Sequence, residues 1–188
     1  QEVMRTILCV YSWLLCSFFA SGQSSLVTNI YLFTLESQDT KWQVHSPRFL
    51  TKFNDKGYNN QPSFINIDEL RLSVKLPDAD QNDIYLLHLH TNTKRQITKT
   101  TVSEYSPSVS ADLKYLSCVR VDDPASALQR LYKYEYKQNG SMESPLSEIK
   151  NVGYYSWLDQ KNAALFLVNK PNQIALVNTD TKDPLIFS

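Results

Sequence analysis

Apolar and polar residues alternate along this chain in short runs, the pattern of half-buried strands, whose successive side chains point to opposite faces. Four runs open on a polar residue and continue as apolar or alternating segments: NIYLFTL from Asn29, DIYLLHL from Asp83, RLYKYEY from Arg130 and QIALVNT from Gln173. Polar stretches separate such runs, among them Pro77 to Asp83 and Gln138 to Ser141, where turn residues release the backbone. Tyr (11) and Phe (8) are plentiful and Gly (4) is scarce, which favours strands over helices. The pattern predicts an all-β chain.

The runs recur in a fixed order. Pro62-Ser63-Phe64 precedes IDELRLSVKL, Pro107-Ser108-Val109 precedes SADLKYLSCVRV, and Tyr155-Ser156-Trp157 precedes LDQKNAALFLV, with starts 45 and 48 residues apart. The polar-opened strand follows in each unit, and then a short third element: RFLT at Arg48, RQIT at Arg95, LSEI at Leu146 and PLIF at Pro184. A spacing of about 40 to 50 residues suits four-stranded propeller blades, which bury their faces by packing against one another. Each unit is expected to hold an inner strand beginning near Pro-Ser-aromatic, an alternating second strand, the Ile-Tyr strand and a brief edge strand. Phe64, Val109 and Trp157 then become equivalent positions, expected to be buried between blades, with Ser63, Ser108 and Ser156 on the opposite side.

The segment Pro107-Ser108-Val109-Ser110-Ala111-Asp112-Leu113-Lys114 resembles the blade motif of TolB-type β-propellers, Pro-Ser-aromatic-Ser-Pro-Asp-Gly-Lys, and Asp83-Ile84-Tyr85 and Arg95-Gln96-Ile97-Thr98 fit its later parts. The likeness runs from about Ile30 to Phe187. Ala111 and Leu113 depart from it, Phe64 to Glu69 lacks the Pro-Asp-Gly turn, and the third copy keeps Ser156-Trp157 and Asp159. The resemblance implies a β-propeller of four-stranded antiparallel blades, of which about three and a half are present. The expectation is a truncated propeller spanning 23–188; completion by another chain is the alternative, and open blade edges invite self-association.

The chain opens differently. From Met4 it reads MRTILCVYSWLLCSFFASGQ: Arg5, an apolar run from Ile7 to Ala20, then small residues before Gln23. These are the three parts of a secretory signal peptide, too short to span a bilayer. Residues 1–22 are therefore expected to be a signal peptide with Gln1 to Val3 as an upstream extension, which implies a periplasmic or extracellular protein with no membrane span in the mature chain. Cys9 and Cys16 leave with that segment, and Cys118, in an alternating run, is expected to act as a small buried hydrophobe.

Lys plus Arg equals Asp plus Glu at 19 each, so no global field favours nucleic acid. No hydrolase elbow, phosphate loop, zinc helix or dinucleotide pattern occurs, and neither a catalytic residue nor a cofactor is expected. His88 and His90 share a strand face but have His45 as the sole further histidine, so no metal site is expected; Asp78, Asp80 and Asp83 read as a solvated turn. The residues just before each inner strand, Asn60, Gln61, Glu104, Tyr105 and Tyr154, are the candidates for a binding surface at one mouth of the central channel. The TolB resemblance implies a non-catalytic module for a cell-envelope protein or peptide; the alternative is the propeller part of a prolyl-oligopeptidase-type serine peptidase.

Overall fold

The computed structural model describes residues 26–110, 113, 115–135, 143–146 and 148–187. The expected signal peptide over 1–22, and the expected turn at 138–141, lie outside the described residues. Strands β1 (Tyr31–Gln38) and β2 (Lys41–Phe49) form a hairpin. Three four-stranded antiparallel sheets follow, each with its strands side by side in chain order. They are β3 (Tyr58–Phe64) to β6 (Thr93–Gln96) through β4 (Glu69–Lys75) and β5 (Asp83–His88); β7 (Glu104–Val109) to β10 (Glu143–Pro145) through β8 (Tyr115–Asp123) and β9 (Leu128–Glu135); and β11 (Val152–Trp157) to β14 (Pro184–Phe187) through β12 (Asn162–Leu167) and β13 (Gln173–Asn178).

Register makes the repeat explicit. Phe64 faces Leu70, Val109 faces Leu116 and Trp157 faces Ala163, so the three residues occupy one rung of three like sheets. Farther back along the same inner strands, Asn60 faces Ser73, Tyr105 faces Val119 and Tyr154 faces Phe166. A bulge lies between the two rungs on β3 and β7, where Gln61 and Ser106 take left-handed backbone angles (φ 54 and 52). On β11 the irregularity falls at Gly153 instead, between Val152 and Tyr154.

The core lies between sheets, as blade packing requires. Leu70, Leu72, Val74 and Leu87 meet Ile30, Leu32, Leu50 and Phe53 from the hairpin and its flanks. Ile84 meets Leu116, Cys118, Tyr132 and Tyr134, and Val119, Leu131 and Leu146 meet Val152, Leu165, Leu167 and Val177. Each such side chain, fully buried, contributes about 1.5–3 kcal/mol. Cys118 is fully buried, as its alternating run predicts.

Four expectations need correction. The inner strands do not begin at Pro-Ser-aromatic; they end there, because the preceding polar residues are already paired with the second strand. The fourth strand of the second full sheet is Glu143–Pro145, ahead of LSEI, and Leu146 instead donates its backbone N–H to Leu131 as a buried plug. Phe64 is 60% exposed. Its counterpart Trp157 is held by Ser117 on the second strand of the preceding sheet, whereas the described part of the sheet before β3 has just two strands and offers no such partner. Asp83, finally, is buried at the start of β5, while Asp78 and Asp80 are exposed.

Candidate functional site

The candidate residues sit near the start of the inner strands, where one rung of each is closed to solvent. Asn59, Glu104 and Val152 face Val74, Arg120 and Leu167, and all three are buried. Asn59 donates through Nδ2 to the carbonyls of Thr28 (2.7 Å) and Asn54 (2.8 Å), tying β3 to the segment before it. Gly57 leaves room for this knot, since a Cβ there would lie 2.2 Å from Asn54 Oδ1.

Glu104 fills the same slot with a carboxyl group that water does not reach. The Thr98 hydroxyl donates to its Oε2 at 3.0 Å, and Oε1 pairs with the Thr100 hydroxyl. Burial pushes Glu104 up to about 7, against the hydroxyl contacts and Arg120 that favour the anion, with Asp83 adding to the rise. Burial likewise lifts Asp83 to about 6, although Gln96 donates to it at 3.0 Å. Thr100 Oγ1 also lies 2.8 Å from the Val102 carbonyl and accepts from the Val102 N–H. One hydroxyl proton cannot serve both the carbonyl and the carboxyl. A protonated Glu104 resolves this by donating to Thr100, which donates onward to Val102.

One rung farther on stand Asn60, Tyr105 and Tyr154, with different freedoms. Asn60 is half-buried, bonding the Tyr58 hydroxyl (2.9 Å) and accepting from the Gln61 N–H (2.8 Å). Tyr105 is half-buried, and its hydroxyl accepts from Asn82 Nδ2 at 2.8 Å. Tyr154 is 61% exposed, its ring tilted against Phe166 at 6.4 Å. Gln61 reaches the next sheet: its Oε1 accepts from the Ser106 N–H at 2.8 Å. Tyr155 continues the line, donating its hydroxyl to the Ser106 carbonyl at 2.9 Å. The bulge of β7 is therefore clasped from both neighbouring sheets. Among the five candidates, Tyr154 offers the most surface to a partner, Gln61 and Tyr105 are engaged in the scaffold, and Glu104 lies behind it.

The remaining chemistry-bearing residues are placed apart from this rung. His88 ends β5, 3.4 Å from Glu69, and His90 lies exposed beyond it. Among the described residues no group of three His, Cys, Asp or Glu side chains could hold a metal ion, and no helix is long and apolar enough to cross a membrane. Residues that pattern reading missed are Asn59, Thr51, Thr98 and Tyr155. The two threonines close the RFLT and RQIT elements, and each accepts from the N–H of an isoleucine at the start of the preceding polar-opened run, Ile30 just before β1 (3.0 Å) and Ile84 in β5 (2.8 Å).

No protein-family model and no curated protein sequence matches the chain. Solved structures do. It is similar to a putative TolB from Agrobacterium tumefaciens (12% identity, TM-score 0.59, 82% of this chain and 59% of that one). It is similar to TolB from Acinetobacter baumannii (15%, 0.57, 84% and 40%) and to the β-propeller domain of the Trilobed protease from Pyrococcus furiosus (13%, 0.52, 70% and 43%). The chain thus spans about two to three fifths of these structures' own lengths. At such identities the likeness establishes the fold, a β-propeller built from four-stranded antiparallel blades.

Proposed function

We propose that the chain is an exported TolB-like propeller portion that binds a protein or peptide of the cell envelope and catalyses nothing. The observation that carries this reading is the rung of Asn60, Tyr105 and Tyr154, which sets one polar and two aromatic residues at equivalent register positions on three successive inner strands. Tyr154 stands out from it into solvent on a rigid strand, and exposed aromatics on rigid scaffolds are frequent anchors of protein interfaces. The signal-like segment after Met4 supports export.

Photo-crosslinking tests the reading. A photoreactive phenylalanine at position 154, in the full chain made in its own cells, is expected to yield discrete protein adducts. The same group at Leu185, exposed on β14, serves as the control. Equal adduct patterns at both positions, or none at 154, would overturn the binding assignment. Mass spectrometry of the exported chain should find Gln23 or a near neighbour as its first residue; a cytoplasmic chain retaining Met4 would overturn export.

The similarity to the propeller domain of a protease favours one second reading, the propeller portion of a prolyl-oligopeptidase-type serine peptidase. Sequence past Ser188 separates the two. A hydrolase domain with a Gly-x-Ser-x-Gly elbow supports the peptidase, and further blades followed by a stop support the binding module.

A further inference from the structure

A cavity of about 410 Å³ opens between the end of β2 and the outer strands β5 and β6. Arg48, Lys52, Lys94 and His88 line it, and no carboxylate does. Glu69 lies 3.4 Å from His88 Nδ1 and also accepts from Asn66 Nδ2 at 3.0 Å. Among the described residues, Arg48, Lys52 and Lys94 make no ion pair. Arg48 is pinned by its Nη2 donating to the Leu89 carbonyl at 2.6 Å, while its buried Nε has no hydrogen-bond partner among the described residues. Lys94 Nζ sits 4.2 Å from the centre of the Phe53 ring, which itself stacks on Tyr85 at 6.0 Å.

Three cationic side chains on one cavity with no carboxylate among its lining residues present charge complementary to an anion, and the Arg48 guanidinium, fixed through Nη2, is the oriented member of the set. The aromatic wall supplies an apolar surface beside the charges, and the volume is that of a small-molecule site. We propose that this cleft is a binding site for a small organic ligand bearing a carboxylate or phosphate group. Arg48 is the oriented donor, Lys52 and Lys94 are the further charges, and the apolar lining residues Phe49, Leu50 and Leu87 face the ligand's carbon skeleton. Carboxylate and phosphate share the recognition chemistry, since both present paired oxygens to a guanidinium. The site is separate from the inner-strand rung and does not depend on what binds there.

Calorimetric titration of the full chain with pyrophosphate, succinate and glycerol tests the assignment. Saturable binding is expected for at least one of the two anions and not for neutral glycerol, and it should weaken as salt is raised. The double variant Lys52→Gln/Lys94→Gln removes two exposed charges without touching a scaffold hydrogen bond, and should weaken the anion at least about tenfold. Arg48→Lys should do the same if its fold is intact, because an ammonium cannot reproduce the fork. Whichever anion binds more tightly identifies the group. Absence of saturation by either anion, glycerol binding as well as they do, or an unchanged affinity in the double variant would overturn the proposal.

Discussion

Trp157 on β11 donates its indole N–H to the hydroxyl of Ser117 on β8, 2.9 Å away in the preceding sheet. The Tyr155 hydroxyl meets the same serine oxygen at 2.9 Å, so two residues of one inner strand are fastened to a single point on its neighbour. This contact, together with the shared aliphatic core, is how the second full sheet holds the third.

Replacing Trp157 by Phe removes the donor and keeps most of the ring, and should lower stability by about 1 kcal/mol. Trp157→Ala should remove more, about 2–3 kcal/mol, below the ~3–5 kcal/mol of a fully enclosed aromatic because Trp157 is half-buried. Phe64→Ala, on the same rung but exposed, should change stability by no more than about 0.5 kcal/mol. Urea unfolding of the three variants checks the order.

The threonines that close the RFLT and RQIT elements should behave alike although they lie in different sheets. Thr51→Val and Thr98→Val each strand the backbone N–H of an isoleucine, and each should lose about 1–3 kcal/mol. Thr98→Val should lose the more, since its hydroxyl donates to the buried Glu104 whereas that of Thr51 donates to the exposed Asn29. Equilibrium unfolding of both variants measures this.

Glu104 makes stability depend on pH. Its carboxyl rises from an ordinary value of 4.5 to about 7 in the folded protein, so between those limits the folded state holds a proton that the unfolded chain has released. Stability from this group is therefore fully present below about pH 4.5 and lost as pH rises through 7, by about 3 kcal/mol. Asp83, raised to about 6, acts in the same direction. Glu104→Gln keeps a donor toward Thr100 and an acceptor toward Thr98, so it should flatten the fall in melting temperature between pH 5 and 8 and exceed the parent protein at pH 8. Melting curves across that range decide.

Much of the fold was legible because the second and third strands are short apolar-rich runs bounded by polar turns, and in the first full sheet they are buried on both faces. LRLSVKL and DIYLLHL became β4 and β5, with Asp83 opening the latter as its run suggests. The inner strands were harder to read. Glu104 and Asn59 look like loop residues, yet they are buried, because hydroxyls and backbone carbonyls from neighbouring segments satisfy them. Most of that satisfaction comes from the loop just before each strand, Thr98 and Thr100 for Glu104 and Asn54 for Asn59, with Thr28 as the distant partner, and such loop contacts leave no apolar periodicity to read. The bulges are equally silent, since Gln61 and Ser106 carry positive φ without a glycine to announce it. A signal did exist in the 45-residue spacing of Asn59 and Glu104, each three residues before Pro-Ser. For the candidate surface, spacing found the rung of Asn60, Tyr105 and Tyr154, but could not tell which side chains the scaffold had already engaged.

The central claim is that the two ends of β11 have different tasks, Trp157 joining sheets and Tyr154 meeting a partner. The melting temperature of Tyr154→Ala, measured beside that of Trp157→Ala, tests it most directly. The account predicts that Tyr154→Ala melts within about 2 °C of the parent chain, as an exposed side chain should, while Trp157→Ala melts several degrees lower. Equal losses in the two variants, or a greater loss from Tyr154→Ala, would contradict it.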